Sequence, residues 1–203
     1  MRTSKSAGGR PRESRVDTAI AAAVTGVLAE SGYAALTVDA VAARAGVSKA
    51  TIYRRFATKQ EMTFAVVLHD LDEAPPADTG TLEGDLGALI ERIGEQLSRS
   101  GSDVMTGLLA DIRADATLTE RFTTTYLAVE RSVIGELLDR AIARGDLTRR
   151  PDPAITQALL LGPLFAWIVV LDEDPARAPE LARIVARMVS DALAAGVVPA
   201  DPS

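Results

Sequence analysis

Residues 37–61 read TVDAVAARAGVSKATIYRRFATKQE, and the spacing within them decides the fold. Val38, Val41 and Ala42 recur at the three- and four-residue interval of one helical face, behind a Thr37 suited to accept from the first free amides. Gly46 follows, the residue type that takes a left-handed turn without strain. Ser48 then caps a second helix whose inward residues are Val47 and Ile52. Ala42, four residues before Gly46, is small enough for the two helices to cross closely. Two short helices around a Gly turn form the layout of a helix-turn-helix, which lays its second helix in the DNA major groove.

The chemistry of that second helix fits the layout. Lys49, Ala50, Thr51, Tyr53, Arg54 and Arg55 fall on its outer surface or flanks. Backbone amides at the Ser48 end, with Lys59 at the start of the next helix, suit phosphate contacts. Lys49, Thr51 and Tyr53 are placed to reach base edges, where a lysine reads guanine and a threonine methyl meets thymine. Tyr53 has a second reading as a packing residue.

Outward from this stretch almost every segment keeps the 3.6-residue period, and no run alternates like a strand; the expected class is all-α. A first helix is predicted over 15–31, burying Val16, Ile20, Ala23, Val27 and Leu28 and stopping at Gly32. Thr58-Lys-Gln-Glu61 is a capping box opening a helix through Phe64, Val67, Leu68 and Leu71 to Pro75-Pro76. The organisation is then a basic disordered arm at 1–13, a helix-turn-helix domain at 14–60 linked through a helix at 58–74, and a C-terminal helical domain at 75–203. The arm (Arg2, Lys5, Arg10, Arg12, with Arg15) reads equally as a groove or phosphate contact and as a solvated tail.

Charge follows the same division. Residues 1–61 hold ten Lys+Arg against five Asp+Glu, net +5, while 62–203 hold twelve against 23, net −11. A basic domain that meets phosphates on an acidic body is a pattern the overall charge of −6 conceals. Cysteine is absent, which excludes disulfides, thiol catalysis and Cys-zinc sites; a reducing cytoplasm is the expected compartment. The opening residues lack the apolar core of a signal peptide.

In the C-terminal region Leu82, Leu86, Leu89, Ile93 and Leu97 form one stripe and Val104, Leu108, Leu109 and Ile112 a shorter one. Thr117-Leu-Thr-Glu120 reads as a second capping box, followed by Phe122, Tyr126, Val129, Val133 and Leu137 on one face of a helix that ends near Gly145. Asp152-Pro153 opens another by the cap-plus-proline rule. Residues 158–171 carry no charge, but this run is shorter than a membrane span needs, and Gly162-Pro163 is expected to kink or break it. Helices at about 153–171 and 177–195 are therefore the expected two-fold, four-helix interface of a homodimer; the second offers Leu181, Ile184, Val185, Met188, Ala192 and Leu193.

GVSKATIYRRFATKQEM closely resembles the recognition-helix signature of the TetR/AcrR family of bacterial regulators, Gly-Val-Ser-x-x-Thr-Ile/Leu-Tyr-x-His/Arg-Phe-x-x-Lys-x-x-Leu. Gly46, Val47, Ser48, Thr51, Ile52, Tyr53, Arg55, Phe56 and Lys59 stand where that pattern has them, and Met62 replaces the commoner Leu. The motif-level likeness covers about residues 14–68; beyond it only the helical layout matches. The resemblance implies an all-α homodimer on a palindromic operator, with a small molecule in the C-terminal domain changing the spacing of the recognition helices and releasing double-stranded DNA. By position Thr37, Tyr53, Arg54, Arg55 and Lys59 match phosphate contacts, and Lys49, Ala50 and Thr51 face bases.

The resemblance also implies an effector pocket among the helices of 81–171. Leu86, Ile90, Leu108, Ile112, Phe122, Tyr126, Phe165 and Trp167 are its apolar candidates, and for the aromatics ordinary packing is the competing reading. His69, Asp111, Arg113 and Gln157 are the polar candidates near the same faces; Asp111 is suited to a cationic ligand or an Arg partner, with a solvent-facing flank as the competing reading. No cofactor and no metal site is expected: His69 is the only histidine, and Asp172-Glu173-Asp174-Pro175 lacks the spacing and glycine of a calcium loop. An enzyme would need a partnered nucleophile, a phosphate-cradling loop or a metal cluster, and the chain offers scattered carboxylates. The reading is a ligand-responsive regulator, expected to repress; the alternative is a DNA-binding dimer with no small-molecule inducer.

Overall fold

The computed structural model describes residues 10–67 and 74–201, helical apart from turns and one isolated antiparallel bridge between Pro151 and Ala200. The chain divides into two compact units, Met1–His69 and Asp70–Ser203. Arg2, Lys5, Leu68, His69 and Leu71 lie outside the described residues, as do the side chains of Arg10 and Arg12.

The first unit has four helices: α1 (Arg10–Ala35), α2 (Val38–Ala45), α3 (Lys49–Tyr53) and α4 (Lys59–Val67). α1 begins five residues before the expected start, inside the stretch read as a disordered arm. Pro11 sits in its first turn, where a missing amide costs nothing, and residues 10–15 carry no apolar period to betray a helix. Gly32 interrupts α1 at φ 72°, ψ −179°, where the sequence placed its end. Ile20, Ala23, Val24 and Val27 of α1 close on Leu36, Val41, Ala42, Ile52 and Met62, a single core to which every helix of the unit contributes.

The second unit is built from α5 (Leu82–Ser100), α6 (Ser102–Ala114), α7 (Ala116–Arg121), α8 (Ala128–Arg144), α9 (Pro153–Phe165) and α10 (Ala178–Ala194). α5 lies along α10 and also meets α8, α6 and α9, which places Leu86, Leu89, Ile90 and Ile93 at the centre. One end is tied by Arg144, which donates to Asp78 and to the fully buried Asp85 at 2.8 Å each. Asp85 also accepts from the Thr79 amide at 2.8 Å and the Thr79 hydroxyl at 2.7 Å. Burial works against its charge, but the Thr79 and Arg144 bonds outweigh it and hold the carboxyl below its ordinary range.

Three expectations for this unit need correction. The cap of α7 is Asp115, accepting from Thr117 at 2.8 Å and Leu118 at 3.1 Å, so Thr117-Glu120 is not a capping box. Phe122–Leu127 winds as a π-helical turn between α7 and α8. The wider turn shifts the phase of everything after it, so that Glu130 rather than Val129 is buried. α9 runs through Pro163 instead of ending there: its ladder widens beyond Phe165 into a second π-helical turn, Ala166–Val170, where the Leu171 amide donates to the Ala166 carbonyl at 2.8 Å. By length and composition Pro153–Val170 is apolar enough to cross a membrane, with mean hydropathy 1.8. Leu160, Leu164 and Ile168 on it are nonetheless core.

Candidate nucleic-acid interface

The recognition element is assembled by its caps. Thr37 accepts from the Ala40 amide at 3.1 Å and fixes the start of α2. Gly46 takes φ 66°, ψ 30°, a left-handed turn in which its amide closes on the Ala42 carbonyl. Ser48 accepts from the Thr51 amide at 3.1 Å, and its hydroxyl also meets the Thr51 hydroxyl at 2.9 Å. Ile52 is fully buried and sets the rotation of α3, which turns Lys49, Ala50, Tyr53 and Arg54 to solvent. Tyr53 is 54% exposed, an exposed aromatic rather than the core residue of its second reading.

Not every candidate cation is free to leave. Arg55 donates to Asp17 of α1 and, at 3.3 Å, to the Thr51 carbonyl; its side chain is only 21% exposed. Lys49 is paired with Asp39 of α2, both well exposed. Lys59 stands 4.2 Å over the Tyr33 ring, a cation–π contact that fixes it at the head of α4. Arg54 reaches the Thr51 hydroxyl at 3.4 Å and projects outward. The side chains of Asp17, Thr51, Arg54 and Arg55 line one open concavity with Val16 and the Gly46–Ser48 turn.

Sequence reading found the cations and missed their partners: Asp17 and Tyr33 come from α1 and Asp39 from α2, up to 38 residues away. It also missed Arg44, which bonds both oxygens of Glu30 at 2.6 and 2.7 Å. Gly26 makes that possible, since a Cβ there would come within 2.6 Å of the guanidinium.

The effector candidates are scattered by comparison. Leu86, Ile90, Leu108 and Ile112 are core residues, at most 4% exposed. Phe122 and Tyr126 face each other at 6.4 Å on the first π-helical turn, half-buried, and Asp111 is likewise half-buried. Trp167 donates to the Asp174 carbonyl at 3.2 Å and carries Arg177 over its ring, while Phe165 lies half-buried at the end of α9. Glu130 and Gln157 form a buried polar pair that periodicity hid: Gln157 donates to Glu130 at 2.9 Å and to the Leu127 carbonyl at 3.1 Å. Burial pushes the Glu130 carboxyl up.

Against known families, residues 20–66 match the bacterial regulatory proteins of the tetR family, and residues 76–201 match the tetracyclin repressor-like C-terminal domain. The chain belongs to the TetR family. An uncharacterised HTH-type transcriptional regulator of Bacillus subtilis, YdeS, is 30% identical over 82% of this chain and 84% of its own. The DNA-binding transcriptional repressor TetR of Mycobacteroides abscessus is 32% identical over 63% of this chain and 68% of its own. Among solved structures, the TetR-family regulator SCO0332 superposes with a TM-score of 0.67 at 26% identity, covering 91% of this chain and 100% of that one. As a member of that family the chain is a DNA-binding transcriptional regulator and not an enzyme.

Proposed function

We propose that the chain is a repressor that binds a palindromic operator as a homodimer and is released by a small molecule held in the second unit. The observation that carries the DNA reading is the outward face of α3, with Lys49, Ala50, Tyr53 and Arg54 exposed on a helix whose rotation Ile52 fixes. Lys49, Ala50 and Thr51 face bases; Tyr53 and Arg54 reach phosphate or base, with Thr37, Ser48 and Lys59 at the flanks. Arg55, held by Asp17, acts chiefly by fixing α3 to α1. Repression is supported by the mycobacterial relative named as a repressor.

Support for the dimer comes from the unpartnered apolar faces of α9 and α10. Ile155 and Leu159 are 38% and 40% exposed, and Ile184 and Met188 are 50% and 66% exposed, each pair one helical turn apart. Arg183 and Arg187 lie exposed among the latter, which suits a protein partner with a polar rim and not a lipid face. Leu164, on the same helix, packs in the core beside Gly94, so one face of α9 meets the chain's own helices.

The effector reading rests on the match to the tetracyclin repressor-like domain and on the Glu130–Gln157 pair, polar groups buried where an apolar core would serve stability better. The filled packing of Leu86, Ile90, Leu108 and Ile112 favours the second reading, a dimer with no small-molecule inducer. Measuring the mass of the protein–DNA complex on a selected duplex, with and without a metabolite panel, tests both. Two chains per half-site pair and loss of the complex with one compound support release. A lone chain on DNA contradicts the dimer, and a complex that no compound dissociates favours the second reading.

A further inference from the structure

Asp39 is an acid where DNA demands cations. It lies on α2, exposed, two residues after the Thr37 cap, and its carboxylate is bonded to Lys49, the first residue of the recognition helix. The pair raises the Lys49 ammonium above the ordinary lysine range, the hydrogen bond to Asp39 being the largest cause. A lysine on a flexible four-carbon stem reaches many phosphates, and phosphate contacts carry no sequence information. A carboxylate in the same place repels phosphate and leaves a base edge as the better second acceptor for the ammonium.

We propose that Asp39 is a specificity-determining residue: an internal stand-in for phosphate that holds Lys49 over the groove, so that random DNA gains little from it and the operator gains a directed base contact. This rests on the DNA reading of α3. An ammonium held by Asp39 neutralises no phosphate and so displaces none of the cations condensed on DNA, and Lys49 contributes little to the salt dependence of binding to random sequence. Freed of Asp39, it should contribute as an ordinary phosphate-neutralising cation.

The test is Asp39→Asn in the full chain, titrated against salt on two probes: a random-sequence duplex pool and the tightest duplex recovered by selection. Glu30→Gln is the control, because it removes the same charge from the Arg44 pair in the same unit. For Asp39→Asn the expected result on the random pool is a slope steeper by about 0.9 and affinity higher by about two- to fivefold, with less gain on the selected duplex. Discrimination between the probes then falls. In a Lys49→Ala background the same substitution should do nothing further.

Equal effects of Asp39→Asn and Glu30→Gln would overturn the proposal in favour of general repulsion. So would a gain that survives Lys49→Ala, or an unchanged slope. Failure of the unsubstituted protein to bind either duplex at low salt would instead sink the DNA reading, and this proposal with it.

Discussion

Replacing Gly46 with alanine isolates one term of the recognition turn. Gly46 sits at φ 66°, ψ 30°, and a methyl group built there meets nothing within 4 Å. Steric repulsion from neighbours is therefore absent, and the cost is that of placing an L-residue in the left-handed region, about 1–2 kcal/mol. Alanine also narrows the unfolded ensemble, which returns roughly 0.4–1 kcal/mol. The net destabilisation of the first unit should be about 1 kcal/mol, near a fivefold rise in its opening equilibrium. Gly46→Asn should cost less, since asparagine tolerates this conformation.

Hydrogen exchange on the full chain reads this unit by unit. Slowly exchanging amides of α1, α2 and α4 should lose about fivefold protection, while those of α5–α10 stay unchanged. A hundredfold loss would mean that the added methyl clashes, and no loss would mean that the turn is not left-handed at 46. Either result refutes the reasoning. DNA affinity should fall by little more than the stability does, because the native turn remains accessible.

Arg54→Ala should lower the salt slope of DNA binding by about one unit without loss of stability, read by titration and thermal melting. Arg55→Ala should cost stability as well as affinity, because it breaks the link to Asp17. Leu159→Glu with Met188→Glu should give a folded monomer by sedimentation, whereas Leu164→Ala, in the core, should destabilise the second unit by about 2–5 kcal/mol and leave the dimer face intact. Acid and base should pull that unit in opposite senses. The depressed Asp85 carboxyl gives stability present above the unfolded value of about 3.9 and lost as pH falls through its folded value. The raised Glu130 carboxyl gives stability present below about 4.3 and lost as pH rises through its folded value. Glu130→Gln should therefore raise the melting temperature at pH 8 more than at pH 4; an equal rise at both would contradict the burial of a charge.

Local chemistry was legible in the sequence wherever one residue type does one job. Thr37 and Ser48 cap, Gly46 turns, Gly32 interrupts, and Asp152-Pro153 starts a helix, each as read. These signals act within four residues. Features set by tertiary contact escaped. Asp17 and Asp39 gave no local signal, because their partners lie on other helices. Hydrophobic period also fails where a helix changes its own period: the π-helical turns at 122–127 and 166–170 move Glu130 inward and carry α9 past Pro163. A run apolar on every side, such as 158–171, likewise does not say which face meets the chain's own core and which a partner; Leu164 lies on the core face.

The measurement closest to the central claim is a salt-titrated selection of fragments from the source genome by the purified full chain. The expected result is a short palindrome whose affinity falls steeply with salt, with protection of two successive major grooves. Binding without sequence preference would contradict an operator reader, and no binding even at low salt would contradict the role assigned to α3.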